Sequence, residues 1–166
     1  MRCRRGAVQP WLALRYDDAD LALREATSVF QTLGDVRGET STIINRAILE
    51  RRRGRLASSR QCCVDALRLC VSLGHAEGQV DCLDLVATIE VAEGQHAASL
   101  RLFAIVGAAR RRHGLQVSTP DERRDREAAI TLARASLDHE AIAAVEAAAG
   151  QTDISTAALT VLAASG

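Results

Sequence analysis

The sequence predicts an all-α chain built from antiparallel helix pairs that repeat about every 40 residues and end in a C-terminal helical cap. Three observations support this prediction. Alanine, leucine and valine supply most of the apolar residues, whereas aromatics make up 2% and prolines number two, which favours helix over strand. Glycines follow the apolar helical segments at regular intervals, and the sequence repeats internally. With 166 residues, 48% of them hydrophobic, the chain can bury the core of one domain.

An internal repeat supports the helix-pair prediction most directly. The segment LGDVRG at residues 33 to 38 recurs as LGHAEG at residues 73 to 78, and Gly114 follows Gly74 at the same offset. The offset also relates four further pairs of residues: Ala47 and Ala87, Glu50 and Glu90, Gly54 and Gly94, and Ser59 and Ser99. One structural unit is therefore expected twice in full.

The chain before the first full unit predicts a partial one. Residues 18 to 33 have the apolar spacing of the second helix of such a unit. Pro10 shortens the first helix of this unit, so that only residues 11 to 15 remain for it. Residues 1 to 10 are basic and lack a periodic pattern, so we expect them to be frayed or disordered. The predicted organisation is repeats over residues 11 to 116, one partial and two full, followed by a helical cap over residues 117 to 166.

Each full unit predicts two helices separated by a glycine. In the first unit, apolar spacing predicts a helix that ends near Arg53, because Gly54 suits the left-handed position after a helix. A second helix is predicted from residue 56 to Gly74. The same arrangement is predicted in the next unit, with apolar residues 83 to 89 on one helix and 100 to 109 on the other.

The cap is predicted from three helix-start signals after the repeat is lost. The first is a capping box with a proline at the first helical position, and the others are acidic or hydroxyl N-cap residues. The candidates are Thr119 with Pro120 and Glu122, then Asp138, and then Asp153 or Ser155. We expect helices that end near residues 137, 149 and 164.

Charge and residue usage exclude several classes of function. The 21 basic residues are balanced by 21 acidic ones, so no net charge draws the chain to nucleic acid or to an anionic membrane. All the basic residues are arginines, and without lysine neither a P-loop nucleotide site nor a Schiff base can form. No segment has the roughly 18 consecutive apolar residues of a membrane span, and residues 1 to 10 lack the apolar core of a signal peptide. We expect a cytoplasmic protein.

The helix pair resembles the tetratricopeptide repeat. The shared positions are the small first-helix residues Ala47 and Ala87, the inter-helix glycines Gly54 and Gly94, and the small second-helix residues Ser59 and Ser99. With its LGDxxG linkers and its G-x5-P helix start, the chain is similar over residues 11 to 166 to the C-terminal region of large bacterial ATP-dependent signalling proteins and LuxR-type transcriptional regulators. The resemblance implies a right-handed superhelix that acts as a non-catalytic protein–protein interaction scaffold. It also implies a fragment or a shortened form of that sensor region.

Catalytic and metal-binding alternatives have weaker support. The five cysteines contain no C-x-x-C pair, and Cys63, Cys70 and Cys82 fall at inward helical positions, where free cysteine acts as a small hydrophobe. We therefore predict reduced thiols and no metal site. Asp81 and Asp84 share a helix face but lack a nearby nucleophile or glycine-rich loop. No catalytic residue and no cofactor are predicted.

Two arginine runs, at residues 51 to 55 and 110 to 112, end predicted helices. Positive charge at a helix C-terminus is favoured by the helix dipole. We interpret both runs as solvated helix ends, with binding of phosphate or acidic partners as the alternative.

The first helix of each unit is expected to line a concave face. By helical register this face carries Ser41, Ile44, Asn45, Ile48, Arg52, Asp81, Asp84 and Thr88. The mixture of apolar and polar side chains predicts a groove for a protein or peptide partner, and binding of a small inducer in the same groove is the alternative. Apolar surface at the N-terminal end of the stack predicts contact with a partner or with a second copy of the chain.

Overall fold

The computed structural model describes residues 10–116 and 119–165, with side chains from Arg15 onward, and this part of the chain is almost entirely helical. Its helices are α1 (Pro10–Leu33), α2 (Val36–Arg52), α3 (Leu56–Ser72), α4 (Ala76–Ala92), α5 (His96–His113), α6 (Pro120–Ala135), α7 (His139–Gly150) and α8 (Ile154–Ala164). No strand occurs in the described residues, so the all-α prediction is confirmed for them. Of the segment expected to be frayed, residues 1 to 9 lie outside this part.

The internal repeat is visible in the helix boundaries. α2 and α4 begin at Val36 and Ala76, and α3 and α5 begin at Leu56 and His96, so the same offset separates both pairs of helices. A glycine with φ between 62° and 78° follows each of the first five helices, at positions 34, 54, 74, 94 and 114. Because a side chain is strained in this left-handed conformation, glycine ends each helix and turns the chain back. The predicted role of these glycines is confirmed.

The partial unit differs from its prediction. α1 continues without interruption from Pro10 to Leu33, so residues 11 to 15 are not a separate first helix. Proline at the first helical position lacks only an N–H that would have no partner there, so it starts a helix without shortening it. No glycine interrupts the apolar spacing between residues 11 and 33, and the helix therefore runs through.

The core lies mainly between the helices of the two full units and extends to buried residues of α6, α7 and α8. A turn of three residues connects each helix from α2 to α4 with the next one. Consecutive helices therefore pack as antiparallel neighbours, and α2 also contacts α4. The small residues Ala47, Ser59, Ala87 and Ser99 are fully buried. The Ser59 hydroxyl donates a 2.7 Å hydrogen bond to the carbonyl of Ala47, which joins α2 to α3. Small side chains at these positions let the helices approach closely.

The three helices of the cap begin where the sequence predicts. Thr119 forms a capping box with Glu122, and the carboxylates of Asp138 and Asp153 each accept a hydrogen bond from the first turn of the helix that follows. α6 packs against α4 and α5, and α7 packs against α5. α8 turns back along the repeats and contacts α3, α4 and α5. None of the described helices is both long enough and apolar enough to cross a membrane.

Candidate functional site

A cavity of about 300 Å³ lies between α2, α4, α5 and α6. Its lining includes seven of the eight residues predicted for the concave face: Ser41, Ile44, Asn45, Ile48, Asp81, Asp84 and Thr88. Arg52 is exposed and outside the lining, and its neighbour Arg51 lines the cavity instead. At 3.6 residues per turn, Arg51 lies about 20° around the helix from Ile44, whereas Arg52 lies about 80° away. The helical register therefore explains which arginine reaches the cavity.

The fourth side of the cavity comes from α6, which the sequence reasoning did not place there. Its contributions are Glu122, Asp125 and Arg126, with Thr119 just before the helix. The spacing of three and then one residue puts these side chains on one helix face. The sequence shows that these residues share a helix face. It does not show which helices pack against that face, because α2 and α4 are distant from α6 along the chain. Leu85 and Arg110, which complete the lining, were also missed.

Ion pairs hold α6 against the repeats. The Nε of Arg126 donates a 2.8 Å hydrogen bond to Oδ1 of Asp84, and Arg110 reaches the same carboxylate at 3.4 Å and Asp81 at 3.0 Å. On the opposite side, Arg51 of α2 pairs with Asp125 at 2.5 Å. Charge-assisted bonds of this kind are stronger than neutral ones. These ion pairs hold the charged side chains in place along the polar wall of the cavity.

Arg126 has a second anchor in the core. Its guanidinium lies 5.2 Å from the centre of the Phe103 ring, a distance that allows a cation–π interaction. Its Nη2 also donates a 3.4 Å hydrogen bond to the Phe103 carbonyl. Arg126 therefore joins α6 to both α4 and α5.

Asp81 titrates unusually close to neutral pH. Burial raises the pKa of its carboxyl from the ordinary 3.8 to about 6, which outweighs the opposite effect of Arg110. The carboxylates of Asp84 and Glu77 add to the upward shift of this pKa. The charge on this wall of the cavity therefore changes near pH 6.

The remaining lining divides into an apolar floor and a polar rim. Ile44 and Ile48 are half-buried and Leu85 is buried, whereas Ser41 and Asn45 are exposed. The apolar side chains can bury part of a ligand, and the rim can hydrogen-bond its polar groups.

The interpretation of the arginine runs as solvated helix ends is wrong for Arg51, Arg53 and Arg110. The Arg53 side chain is only 8% exposed and pairs with Glu50 at 3.0 Å and with Asp17, while Arg51 and Arg110 belong to the cavity network. These helix ends pack against neighbouring helices, so their arginines meet carboxylates there. Arg52, Arg111 and Arg112 are exposed, as the prediction expected.

The three cysteines predicted to face inward are buried, as expected from their helical positions. Cys63, Cys70 and Cys82 are buried in the core, and burial raises the pKa of the Cys63 thiol to about 12, so it stays protonated at neutral pH. Cys3 lies outside the described residues. Within residues 10–116 and 119–165, no group of three or more histidine, cysteine or acidic side chains has an arrangement that could hold a metal ion.

The helix pairs and their cavity define an all-α protein of the helical-repeat class. The chain matches no protein-family model, no curated protein and no solved structure.

Proposed function

We propose that this protein is a non-catalytic interaction scaffold, a tetratricopeptide-like right-handed superhelix whose concave cavity binds an extended segment of a partner protein. One observation supports this most strongly: α2 and α4 bring seven residues of the predicted concave face together in a single cavity. First helices that converge on one surface are what stacked helix pairs use to bind their partners.

The lining indicates what the bound segment looks like. A volume of about 300 Å³ accommodates one or two side chains but not a whole helix. Ile44, Ile48 and Leu85 would receive an apolar side chain, while exposed Ser41 and Asn45 would hydrogen-bond the backbone of an extended peptide.

The charges favour a partner segment with a basic residue. All three arginines of the lining, Arg51, Arg110 and Arg126, are paired with carboxylates of the same cavity. The lining has four carboxylates in all, of which Glu122 caps its own helix. The cavity thus carries excess negative charge, which attracts a basic segment and repels an acidic one.

The motif resemblance extends the proposal to the cellular role. On that basis the chain is a fragment or a shortened form of the sensor region of a bacterial signalling ATPase or a LuxR-type regulator. It would work in the cytoplasm without binding nucleic acid or a membrane directly. A reading frame upstream that encodes the ATPase domain would support this role, and an unrelated neighbourhood would count against it.

A second candidate function is binding of a small inducer in the same cavity. The preformed network around Asp84 favours it, because fixed polar groups beside an apolar floor are typical of small-molecule sites. A metabolite that raises the melting temperature through this cavity would support this alternative.

We also propose self-association through α1. Leu21, Val29 and Leu33 are 58%, 55% and 72% exposed, and their spacing of eight and four residues puts them along one side of the helix. A second copy of the chain could cover this apolar surface. Sedimentation should show a dimer that Val29→Glu dissociates, and a monomer at high concentration would contradict the proposal.

Selection of short displayed peptides tests the scaffold function. Peptides enriched on the wild-type chain should lose at least about tenfold in affinity, or about 1.4 kcal/mol, with Ile48→Arg in the cavity. The matched control is Leu132→Arg, which places the same charge at an exposed leucine outside the lining. Peptides that bind both variants equally well, or no enrichment at all, would refute the concave site.

A further inference from the structure

A second and larger cavity, of about 560 Å³, lies between α3, α5 and α8. Its floor is apolar and buried, and consists of Val64, Leu102, Ile105, Ala157 and Val161. Small-molecule sites are typically cavities of about 300 to 1,000 Å³, mostly apolar and with few polar groups. The volume of this cavity falls in that range, and eight of its fifteen lining residues are apolar. It shares no lining residue with the concave cavity.

One carboxylate in this cavity lacks a partner. Glu90, near the end of α4, lines the cavity, and its Oε2 is buried without a hydrogen bond from any described residue. Burial raises the pKa of this carboxyl, and Arg60 only partly opposes the shift. An unsatisfied polar atom in a buried position is rare in folded proteins and calls for an explanation.

The arginines around the cavity are engaged elsewhere. Arg60 donates a 2.6 Å hydrogen bond to Glu93, and Arg101 reaches the hydroxyl of Thr152 at 3.4 Å. Neither donates a hydrogen bond to Glu90. The cavity therefore contains an open carboxylate, Glu90, whose Oε2 is buried without a donor, and an exposed cation, Arg101, which pairs with no carboxylate of the described residues.

The residue equivalent to Glu90 in the preceding repeat has charged partners that Glu90 lacks. Glu50 is the counterpart of Glu90 in the first full repeat, and its carboxylate pairs with Arg53 at 3.0 Å and Arg55 at 3.6 Å. In the second repeat, Glu93 and Gln95 occupy the positions of these two arginines. The second repeat therefore keeps the buried glutamate and lacks both of the cations that would neutralise it.

We propose that the cavity between α3, α5 and α8 binds a small molecule with an apolar body and one protonated amine, which pairs with Glu90. An ammonium group supplies three N–H donors, so it can satisfy the free oxygen and form a charge-assisted bond. The apolar body lies against Val64, Leu102 and Val161, away from water. This site is independent of the concave cavity, so either could exist without the other.

Calorimetric titration with phenylbutylamine, using the whole chain, tests the proposal. The neutral phenylbutanol has nearly the same shape, and phenylbutyrate carries the opposite charge. We expect saturable binding of the amine, at least about tenfold weaker binding of the alcohol, and no binding of the acid. Equal affinities for amine and alcohol, or no binding of the amine up to about 10 mM, which corresponds to less than about 3 kcal/mol, would overturn the proposal.

Variants locate the binding. Glu90→Gln should remove the preference for the amine over the alcohol, whereas Glu50→Gln makes the same change at the equivalent position of the first repeat and should keep it. Glu127→Gln, at an exposed position on α6, replaces this control if Glu50→Gln does not fold. A preference that survives in Glu90→Gln would overturn the assignment of the amine to this carboxylate.

A variant that fills this cavity shows whether the ligand binds there. Ala98 is exposed and lines the cavity, so Ala98→Phe should fill it without disturbing the core. We expect this variant to fold normally by circular dichroism and to lose binding of both the amine and the alcohol. Unchanged binding to folded Ala98→Phe would place the ligand elsewhere and overturn the proposal.

Discussion

The two full repeats have the same backbone arrangement and different electrostatics. Glu50 and Glu90 occupy equivalent positions near the ends of α2 and α4. Glu50 pairs with two arginines, whereas the buried Oε2 of Glu90 accepts no hydrogen bond from the described residues. The difference arises in the three-residue turn that follows each helix, where Arg53 and Arg55 are replaced by Glu93 and Gln95. Two substitutions in a turn thus separate a structural ion pair from a candidate binding group.

The concave cavity shows the same division between the repeats. Ile44 and Ile48 of the first repeat correspond to Asp84 and Thr88 of the second. Because α2 and α4 contact each other, the lining combines Ile44 and Ile48 of the first repeat with Asp81 and Asp84 of the second. Leu85 of the second repeat and the α6 carboxylates complete its apolar and acidic parts. Duplication followed by divergence at these positions can create a two-sided site without changing the fold.

The largest expected change in the free energy of unfolding comes from removing Glu50, the glutamate that pairs with two arginines. Glu50→Ala leaves the Arg53 guanidinium, which is nearly buried, with Asp17 as its remaining partner, and should lower the free energy of unfolding by about 3 kcal/mol. Glu90→Ala removes an unpaired carboxylate and should cost less than about 1 kcal/mol. Urea denaturation of the two variants makes the comparison. Equal losses would mean that the ion pairs of Glu50 contribute nothing specific.

The repeats also differ at Asp81, whose counterpart in the first repeat is Ser41. The contribution of the Asp81 carboxyl can be measured from the pH dependence of the free energy of unfolding. The folded chain keeps a proton on Asp81 up to about pH 6, whereas the unfolded chain loses it near the ordinary pKa of 3.8. The folded state therefore binds more protons between these values, and this carboxyl stabilises the fold as pH falls from about 7 to 4. The difference in pKa corresponds to at most about 3 kcal/mol.

The Asp81→Asn variant isolates this contribution, because all other titrating groups are common to both proteins. Among the groups near Asp81, Arg110 opposes the shift of its pKa, and Asp84 and Glu77 reinforce it. Denaturation curves at several pH values should show the wild type gaining stability relative to the variant on acidification. A constant difference from pH 7 to pH 4 would show that Asp81 has an ordinary pKa.

Introducing the two arginines that pair with Glu50 at the equivalent positions of the second repeat should have the smallest effect on the free energy of unfolding. The double variant Glu93→Arg with Gln95→Arg places two cations where Arg53 and Arg55 stand in the first repeat, and removes the partner of Arg60. We expect a net gain of about 1 kcal/mol in the free energy of unfolding, since bonds to charged groups contribute about 1.5 to 3 kcal/mol each. The same variant should lose binding of phenylbutylamine, measured by titration. Retained binding would argue against a role for the open carboxylate.

Local signals in the sequence predicted the helices and turns well. The glycine after each of the first five helices and the caps at Thr119, Asp138 and Asp153 act within a few residues, so they can be recognised without knowledge of the packing. The error at α1 is also local: Pro10 does not shorten a first helix to residues 11 to 15 but begins one helix that continues to Leu33. The concave residues followed from helical register, apart from the exchange of Arg52 for Arg51.

The sequence by itself determined where the chain is helical, where it turns and which residues share a helix face, because these depend on neighbours along the chain. Only the tertiary structure decided that α6 closes the concave cavity, that α8 lies against α3 and α5, and that no described residue donates a hydrogen bond to Oε2 of Glu90. The substitution of Arg53 by Glu93 is visible in the repeat, but its consequence is not. Whether a charged side chain is paired depends on which distant helices pack beside it, and that outcome is set by the burial of apolar surface over the whole domain.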